Sequence, residues 1–544
     1  MKQENNPPTP SGVRTETSVL GQQSRRDFLR HAAGGTAILG AGGLLAACGS
    51  SSSSPTSGVA PSAKPKRGGT LTLASSGGSS ADTLDGDNCL ETLDFARAPQ
   101  LYDTLMEVDA NFVPQLHLAD EVTPNADATQ WTIRVRKGVE FHNGKPLTID
   151  DVLYTFQRII TNDYSAALGF AYMDLKNARK LDSYTVRIPM TAGYSILDWS
   201  LVGNGETSIV PEGYDPKLPV GTGPFKYESF TPGTQSTFTR NPNYFISGQP
   251  YLDKVVIVDY SDESSQVNAL LSGQATCCDQ LSIASVNTIR SGGSVAKIWP
   301  GPGWVPFTMR LDMPPFNDPN VRMAMRLVVD RPQMQKLVYG GHGFLGNDIF
   351  GRTDPEYDTA IPQRHQDIPQ AKYLLKKAGQ ENLTTTLVTA PIRTGAVQMA
   401  TVLKQQASAA GITINLNSIT STAFFGPNYL KWTFAQDWWS GYPYLRQAGY
   451  SMVPGSPWDE THWDTSSYGA KYLSLYKQAL ATVDKAKQTA LVHELMMMDW
   501  NDGGYIIPAF NPVIVGQSPS LQGAVNQTSG DPWIEYRFRT MWLT

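Results

Sequence analysis

Apolar and polar residues alternate in two rhythms from residue 70 onward, one with a period of two and one with a helical period. Residues 70–74, TLTLA, alternate over a short strand. Residues 130–144 place Trp131, Ile133 and Val135 on one face of a second strand that runs into a glycine turn. Successive side chains of a strand point to opposite faces, so both segments predict sheets with one buried face.

Helix starts are equally clear. Thr148 is placed as an N-cap with Asp151 three residues later, and Leu147 with Val152 can form a hydrophobic staple, which predicts a helix from there to about Thr161. Further elements are expected as helices from Asp318-Pro319, from Arg331-Pro332 to Gly340, over 369–378 and over 396–410, and as a strand over 412–416. Helices and strands therefore alternate through the second half, which predicts an α/β fold with at least one largely parallel sheet.

The first residues have a different pattern. Arg25-Arg26 precedes a weakly apolar run over 32–47, which is too short for a stable membrane helix and ends in Leu-Ala-Ala before Cys48. This order resembles a twin-arginine export signal that ends in a bacterial lipobox. The resemblance implies a signal peptide over 1–47 and lipidation of Cys48, and therefore an extracytoplasmic protein anchored to a bacterial membrane. Residues 48–69 are rich in Ser, Pro and Gly and predict a flexible tether.

Composition narrows the function. The net charge of −5 gives no basic surface for nucleic acid. The chain has 12 Trp and 23 Tyr, more aromatic residues than a core alone requires.

Beyond Cys48, the cysteines are Cys89, Cys277 and Cys278. Three alternatives stay open for them: Cys89 paired with one of the other two, a strained vicinal bond between the adjacent pair, or free thiols.

Known catalytic motifs are either absent from the sequence or lack a residue that their chemistry requires. No G-x-S-x-G nucleophile motif is present. His493-Glu494 begins a zinc motif that has Met497 at its second ligand position. Residues 138–145 look like a phosphate loop, but the loop is one residue too long and Pro146 stands where a magnesium-binding hydroxyl belongs. We therefore expect no metal, no cofactor and no enzyme activity.

Four segments together resemble the family 5 extracellular solute-binding proteins of ABC importers, the group of oligopeptide-, dipeptide- and nickel-binding proteins. The segments are residues 131–152 (WTIRVRKGVEFHNGKPLTIDDV), 220–225 (VGTGPF), 315–324 (PFNDPNVRMA) and 371–379 (AKYLLKKAG). Capping, turn and packing requirements explain these residues, so they make the fold and do not contact the solute.

The resemblance implies a two-lobe periplasmic-binding-protein-like fold (type II, cluster C) with an extra subdomain Ib. The expected division is lobe Ia over 70–100, 221–303 and 508–544, subdomain Ib over 101–220, and lobe II over 304–507. The chain would cross between lobes near Pro300 and Pro508, where Gly/Pro segments can absorb a hinge rotation.

The resemblance also implies a site between the lobes, beside residues 433–445, TFAQDWWSGYPYL. Relatives carry an acid that holds a peptide ammonium here, but this chain has Gly441 at the first acidic position and Tyr444 at the second. Asp437 is a possible replacement charge. The predicted solute contacts in this stretch are Asp437, Trp438, Trp439, Tyr442 and Tyr444. We expect at least two of the four rings to contact the solute, and strand alternation sends Trp438 and Trp439 to opposite faces.

Two further residues are predicted to contact the solute where the chain enters lobe II. They are Trp304 and Arg310, and Arg310 would hold a carboxylate unless it forms a salt bridge within lobe II. Residues 89–95, after the first strand, are expected on the opposite wall.

These observations predict a monomeric receptor that captures a solute and passes it to the transmembrane subunits of an ABC permease. The solute is a peptide or, because the acids are missing, a sugar or a heterocyclic or cationic compound held by aromatic rings. Two alternatives are an exported hydrolase and the ligand-sensing subunit of a signalling system.

Overall fold

The computed structural model describes residues 64–89, 92–203, 205–463, 468–525 and 532–544. The predicted signal peptide and Cys48 lie outside these residues, as does most of the predicted tether. Within the described ranges, no helix combines the length and the apolar character that crossing a bilayer requires.

The largest sheet has seven strands. In spatial order they are Val295–Trp304, Phe510–Gln517, Cys277–Cys278, Thr70–Ser76, Lys254–Tyr260, Gln235–Arg240 and Phe225–Thr231. Thr70–Ser76 lies parallel to both of its neighbours, and the other strand pairs are antiparallel. The first strand of the chain is therefore central in the sheet, and both of its edges are hydrogen-bonded.

Two more sheets organise the rest of the molecule. The four-stranded sheet has the order Ala119–Pro124, Gln130–Val135, Thr185–Pro189 and Arg179–Lys180. The five-stranded sheet has the order Thr413–Ser418, Thr384–Thr389, Phe434–Gln436, Phe307–Met309 and Tyr505–Ile506. Short two-stranded sheets pair Met106–Val108 with Pro114–Leu116, and Leu521–Gln522 with Trp542–Leu543.

Helices cover the sheets. The α-helices are Thr92–Leu101, Ile149–Thr161, Leu197–Ser200, Glu263–Leu271, Ser285–Ser291, Pro319–Leu327, Arg331–Tyr339, Ile368–Lys377, Ala396–Ser408, Ser421–Phe424, Tyr444–Ser451, Gly469–Ala481 and Lys485–Asp502. Short 3₁₀ helices occupy Ser165–Phe170, Leu175–Asn177 and Phe538–Thr540, and Pro532–Tyr536 forms a single turn with left-handed backbone angles.

The predicted helix starts are confirmed. The Asp151 carboxylate accepts a hydrogen bond from the Thr148 backbone N–H at 3.0 Å, which closes the capping box of the helix Ile149–Thr161. Asp318 caps the helix Pro319–Leu327, whose first residue is the expected proline.

The expectation of a largely parallel sheet is wrong in its detail. In the five-stranded sheet only the pairs made by Thr384–Thr389 are parallel, and Phe307–Met309 runs antiparallel to both of its neighbours. The reason is connectivity. Phe307–Met309 follows Val295–Trp304 of the seven-stranded sheet directly, without the crossover helix that a parallel connection requires.

We call the part built on the seven-stranded and four-stranded sheets lobe I, and the part built on the five-stranded sheet lobe II. The seven-stranded sheet has a separate apolar cluster on each face. The third cluster is continuous from Trp131 and Ile133 of the four-stranded sheet to Phe307 and Leu387 of the five-stranded sheet. One apolar cluster is therefore shared by the two lobes.

Candidate functional site

The aromatic stretch leaves lobe II at the end of a central strand. Phe434–Gln436 pairs with Phe307–Met309, and after it the Asp437 carboxylate accepts the Trp438 backbone N–H at 2.7 Å, which turns the chain out of the sheet. The helix Tyr444–Ser451 then begins after Pro443. The strand therefore ends before Trp438 and Trp439, although the sequence pattern placed both residues within it on alternating faces.

Gly441 is required by packing against the segment that crosses between lobes. Its φ is 111°, and a Cβ at this position would lie 2.4 Å from Cβ of Pro302. Any side chain would have to displace Pro302, and the backbone angle also disfavours an L-residue. The acid that relatives carry at this position therefore does not fit here.

Trp304 and Trp439 join the two segments. Each donates its backbone N–H to the carbonyl of the other, at 3.0 and 2.9 Å, and their rings stack with centroids 6.1 Å apart. The stack is part of a continuous series of seven rings, which we call the aromatic ladder. In spatial order its members are Tyr444, Phe350, Trp304, Trp439, Trp458, Tyr450 and Tyr442.

One end of the ladder lies inside lobe II. Trp304 and Tyr444 are 0% exposed, and the Tyr444 hydroxyl donates to Asp499 and lies 2.9 Å from the Tyr472 hydroxyl. Burial raises the pKa of Asp499 to about 7, although the bond from Tyr444 and the charge of Arg326 both lower it. This end is a packed core with an internal polar network.

The middle of the stretch also has partners within lobe II. The Trp439 indole donates to Glu460 at 3.0 Å. Asp437 is 1% exposed and accepts the Tyr429 hydroxyl at 2.7 Å, while the guanidinium of Arg393 lies 5.0 Å from the Trp438 ring centroid. Asp437 is thus already engaged by its own lobe.

The other end of the ladder carries a cation. The Arg446 guanidinium lies 4.5 Å from the ring centroid of Tyr442 and 5.5 Å from that of Tyr450. Its Nε and Nη2 donate to the Tyr450 hydroxyl, each at 3.3 Å. Burial lowers the pKa of Arg446, but its interactions with Tyr450, Tyr442 and the carboxylate of Glu206 outweigh burial, and the pKa lies above its ordinary value.

Arg446 reaches across to lobe I. Its Nη1 donates to the Trp199 carbonyl at 2.9 Å, and its Nη2 lies 3.6 Å from Oε2 of Glu206. A second contact lies nearby, where Ser195 donates its N–H to the Leu480 carbonyl at 2.6 Å. Arg446 and Glu206 are therefore opposite charges that face each other from the two lobes.

The lobe I side of this contact rests on the segment after the first strand. Gly205 has φ 72°, and a Cβ there would lie 2.6 Å from the Cys89 sulfur and 3.2 Å from the Phe95 ring. The Cys89 N–H donates to the Gly205 carbonyl at 3.2 Å. Cys89 and Phe95, the two ends of the predicted opposite wall, thus lie next to the loop that carries Glu206, and residues 90 and 91 of that wall lie outside the described residues.

Arg310 lies elsewhere in lobe II. Its Nε donates to Asp312 at 2.9 Å, and its Nη1 donates to the Lys431 carbonyl at 3.4 Å. Of the two roles that the sequence leaves open for this residue, the structure contains the salt bridge within the lobe. Its guanidinium is therefore already paired with a carboxylate.

The three described cysteines are free and buried. Cys277 packs with Leu73 on one face of the large sheet, and Cys278 packs with Ala74 on the other. Neighbouring strand residues point to opposite faces, so a vicinal bond would break the strand. Desolvation raises the pKa of both thiols. Within the described ranges, no group of three or more potential ligand side chains is placed to hold a metal ion.

Sequence reasoning missed Arg446, Tyr450 and the residues that face them. A signal for the first two is visible, because Tyr442, Arg446 and Tyr450 are spaced by four residues, the spacing of one helix face, although the helix itself begins only at Tyr444. Nothing in the sequence points to Trp199 or Glu206, which approach Arg446 only through the tertiary fold.

The fold is that of a two-lobe periplasmic binding protein with a mixed α/β core. The family model described as bacterial extracellular solute-binding proteins, family 5 Middle, matches residues 113–467. The chain belongs to this family, and it is a solute-binding protein and not an enzyme.

Two curated relatives illustrate the sequence similarity. The chain is 27% identical over 361 residues to the oligopeptide-binding protein AppA of Bacillus subtilis (strain 168), a match that covers 62% of this chain and 64% of AppA. It is 22% identical over 463 residues to the glutathione-binding protein GsiB of Escherichia coli (strain K12), covering 82% of this chain and 90% of GsiB.

Solved structures show the same fold. The periplasmic binding protein DppA from Helicobacter pylori, in complex with the peptide STSA, has a TM-score of 0.73 at 21% identity and covers 88% of this chain and 98% of its own. The binding protein AgaA from A. tumefaciens R10, in complex with agropinic acid, has a TM-score of 0.70 at 21% identity and covers 88% and 99%.

Proposed function

We propose that the protein is a lipid-anchored receptor that captures a small organic solute between its lobes and delivers it to the permease of an ABC importer. One observation carries the location of the site. Arg446, packed against the Tyr442 and Tyr450 rings of lobe II, meets Trp199 and Glu206 of lobe I. Rings, a cation and an acid at an interlobe contact are groups that orient a small polar solute.

The movement that admits the solute is a rotation at the two crossing segments. They lie side by side, because Trp304 pairs with Phe510 at the end of the large sheet. The pairing shifts register between Pro300 and Trp304. We place the hinge in this irregular stretch, with lobe boundaries near residues 303 and 508, and we propose that the permease distinguishes the closed form from the open one.

The solute class is a peptide or another small organic compound. The named relatives bind oligopeptides and glutathione, and the solved neighbours hold a peptide and agropinic acid. Gly441 excludes the usual acid, so recognition depends on the aromatic rings and the interlobe charges. In this proposal Tyr442 is the ring that contacts the solute, and Trp438, Trp439 and Trp304 support the wall of the binding site.

The experiment is to purify the mature protein and identify any co-purifying solute by mass spectrometry. Calorimetry with that compound then measures binding, and product analysis checks for conversion. We expect one compound to bind with a stoichiometry near one and to remain unchanged. Conversion of the compound, or the absence of any bound solute, would refute the receptor function.

We further propose that residues 1–47 are a twin-arginine lipoprotein signal and that Cys48 carries the lipid. The order of arginine pair, apolar run and cysteine supports this, and several acyl chains on one residue would make a stable anchor. The protein would then be a monomer on the extracytoplasmic side of a bacterial membrane, with its folded part attached through the tether.

Cys48→Ser tests the anchor. We expect the variant to appear in the soluble extracytoplasmic fraction while the wild type sediments with membranes. Cys89→Ser is the matched control, because it removes a buried thiol and should leave membrane association unchanged. Membrane association of both variants would refute lipidation at Cys48.

A further inference from the structure

The chain enters its folded part at one end of the seven-stranded sheet. Thr70 begins the central strand, and the register through the intervening strands places Ala74 level with Ala296 of the strand Val295–Trp304. Both strands run in the same direction, and Val295–Trp304 ends where the chain crosses into lobe II. Thr70 therefore lies at the end of the sheet opposite the crossing, and we call this end the tether end.

Three basic residues directly precede the tether end. Lys64, Lys66 and Arg67 are the only charged residues between Cys48 and Asp82. The structure places all three at the surface as exposed side chains. This stretch, residues 64–67, which we call the basic segment, thus carries three positive charges and no negative one.

Two acids at the tether end are paired with cations of the sheet itself. Asp253 accepts the Gly69 N–H at 3.0 Å and forms an ion pair with Arg240. Glu228 pairs with Lys254 at 2.9 Å. Because each pair is balanced internally, both leave the charge of the basic segment in place.

A further cation and an aromatic ring lie at the same end. Lys226 is level with Thr70 through the paired strands, and its ammonium donates to the His142 carbonyl, a neutral partner, at 3.0 Å. The next residue, Tyr227, is 43% exposed. Tyrosine is enriched at membrane–water interfaces, where its amphipathic ring sits at the level of the headgroups. The tether end therefore combines positive charge with a side chain suited to a bilayer surface.

The molecule as a whole has the opposite charge. The net charge of the chain is −5, although the basic segment contributes three positive charges to it. An anionic surface therefore repels the body of the protein and attracts the tether end. Such a surface would select one orientation of the molecule.

The strength of this attraction depends on the anchor. One Lys or Arg beside an anionic bilayer strengthens binding roughly fivefold, so three strengthen it on the order of a hundredfold, which does not hold a free protein on a membrane. Residues 49–63 are uncharged and rich in Ser, Pro and Gly, and a flexible chain of this length spans roughly 20 Å. With lipid on Cys48, this short connection keeps the basic segment at a high effective concentration beside the headgroups.

We propose that Lys64, Lys66 and Arg67 form a contact for anionic lipid headgroups, which turns the tether end of lobe I toward the bilayer. The inference rests on the proposed lipid anchor and goes beyond the receptor function. Lobe II begins at the opposite end of the sheet, so it lies farther from the membrane than the tether end does. The contact between the lobes is thereby held away from the bilayer.

The test anchors the mature chain, residues 48–544, chemically. In the unlipidated protein Cys48 is coupled to a maleimide-bearing lipid in supported bilayers, and the other three cysteines are buried, so coupling is selective. The bilayers contain phosphatidylcholine alone or phosphatidylcholine with phosphatidylglycerol. Neutron reflectometry measures the water gap between bilayer and protein. We expect the gap to be narrower on the anionic bilayer by about half the span of the tether, roughly 10 Å, and the difference to vanish at about 1 M salt, where the Debye length is about 3 Å.

Two triple variants with the same change of charge locate the effect. The variant Lys64→Gln, Lys66→Gln and Arg67→Gln should have the same gap on both bilayers. The control variant carries Lys372→Gln, Lys376→Gln and Lys377→Gln, which remove three exposed charges from one helix of lobe II, and it should behave as the wild type. A wild-type gap that is independent of lipid charge, or equal effects in the two variants, would overturn the proposal.

Failure of the lipid contact is distinguishable from failure of the anchor. The chemical coupling measures the contact without cellular lipidation, whereas fractionation of Cys48→Ser in cells measures the anchor alone. A confirmed anchor with a gap that ignores lipid charge refutes only the lipid contact. Membrane association that does not depend on Cys48 refutes the anchor and, with it, the basis of this inference. Calorimetry with the co-purifying solute should give the same affinity in both triple variants, which checks that each is folded.

Discussion

The two ends of the aromatic ladder have similar rings but different surroundings. At the inner end, Tyr444 stacks on Phe350 at 4.7 Å and bonds to Asp499, all within lobe II. At the outer end, Tyr442 and Tyr450 contact Arg446, which bonds across to lobe I. An aromatic ring of this ladder therefore lies in a core or at the contact between lobes according to what its far side meets, and composition alone does not separate the two positions.

The inner end should dominate stability. Trp304→Ala removes a fully buried indole from the middle of the ladder, and we expect the free energy of unfolding to fall by about 3–5 kcal/mol because a large cavity remains. Urea denaturation followed by circular dichroism measures this. Trp432→Ala, at a partly exposed tryptophan of the same lobe, is the control and should cost clearly less. Equal losses in the two variants would place Trp304 outside the core.

The polar network at the inner end predicts a pH dependence. Burial raises the pKa of Asp499 to about 7, whereas an aspartate in an unfolded chain has a pKa of about 3.9. Between these values the folded state keeps a proton that the unfolded state has lost. The stabilising contribution of this carboxyl is therefore complete below about pH 4 and is lost as the pH rises through about 7.

Asp499→Asn should make the decline of stability between pH 4.5 and 8 shallower, as measured by urea titrations at each pH. Asp150→Asn is a suitable control because Asp150 lies at the surface in an exposed pair with Lys180. A slope that is unchanged in Asp499→Asn would mean that Asp499 is ionised in the folded protein across this range.

The outer end should dominate binding. Tyr442→Ala removes one of the two rings that contact Arg446, and we expect roughly tenfold weaker solute binding with a stability loss below about 2 kcal/mol. Calorimetry with the co-purifying solute measures the affinity. Tyr444→Phe is the inverse control, since it loses hydroxyl bonds worth about 1–3 kcal/mol of stability and should leave the affinity unchanged. The reverse pattern would exchange the roles of the two ends.

The smallest effect is expected at Arg310. Its ion pair with Asp312 lies near the surface of lobe II, so Arg310→Gln should change stability by less than about 1 kcal/mol and leave solute affinity unaltered. Calorimetry and urea denaturation of this variant measure both quantities. A tenfold loss of affinity would instead assign Arg310 to the solute carboxylate.

Local sequence was sufficient for several elements. The Thr148 cap, the Asp318-Pro319 start and the alternation of Trp131, Ile133 and Val135 predicted their helices and strand correctly, because capping and burial periodicity act within a few residues. Strand direction in lobe II was not predicted, because Phe307–Met309 is oriented by a connection from the other lobe.

The candidate site was likewise predicted only in part. The motifs identified the family and the stretch from 433 to 445, and the missing acid at Gly441 was visible as a departure from the family pattern. The reason for Gly441 was not visible, because Pro302 approaches it from a segment far away in the chain. For the same reason, no sequence pattern indicated that Glu206 and Trp199 would meet Arg446.

The sequence by itself determined the family, the two-lobe α/β fold and the number of aromatic residues, since each follows from local motifs or from composition. The tertiary structure alone decided which rings are core and which charges oppose each other across the lobes. These depend on contacts between residues about 240 positions apart, and no local pattern encodes which distant surfaces will pack together.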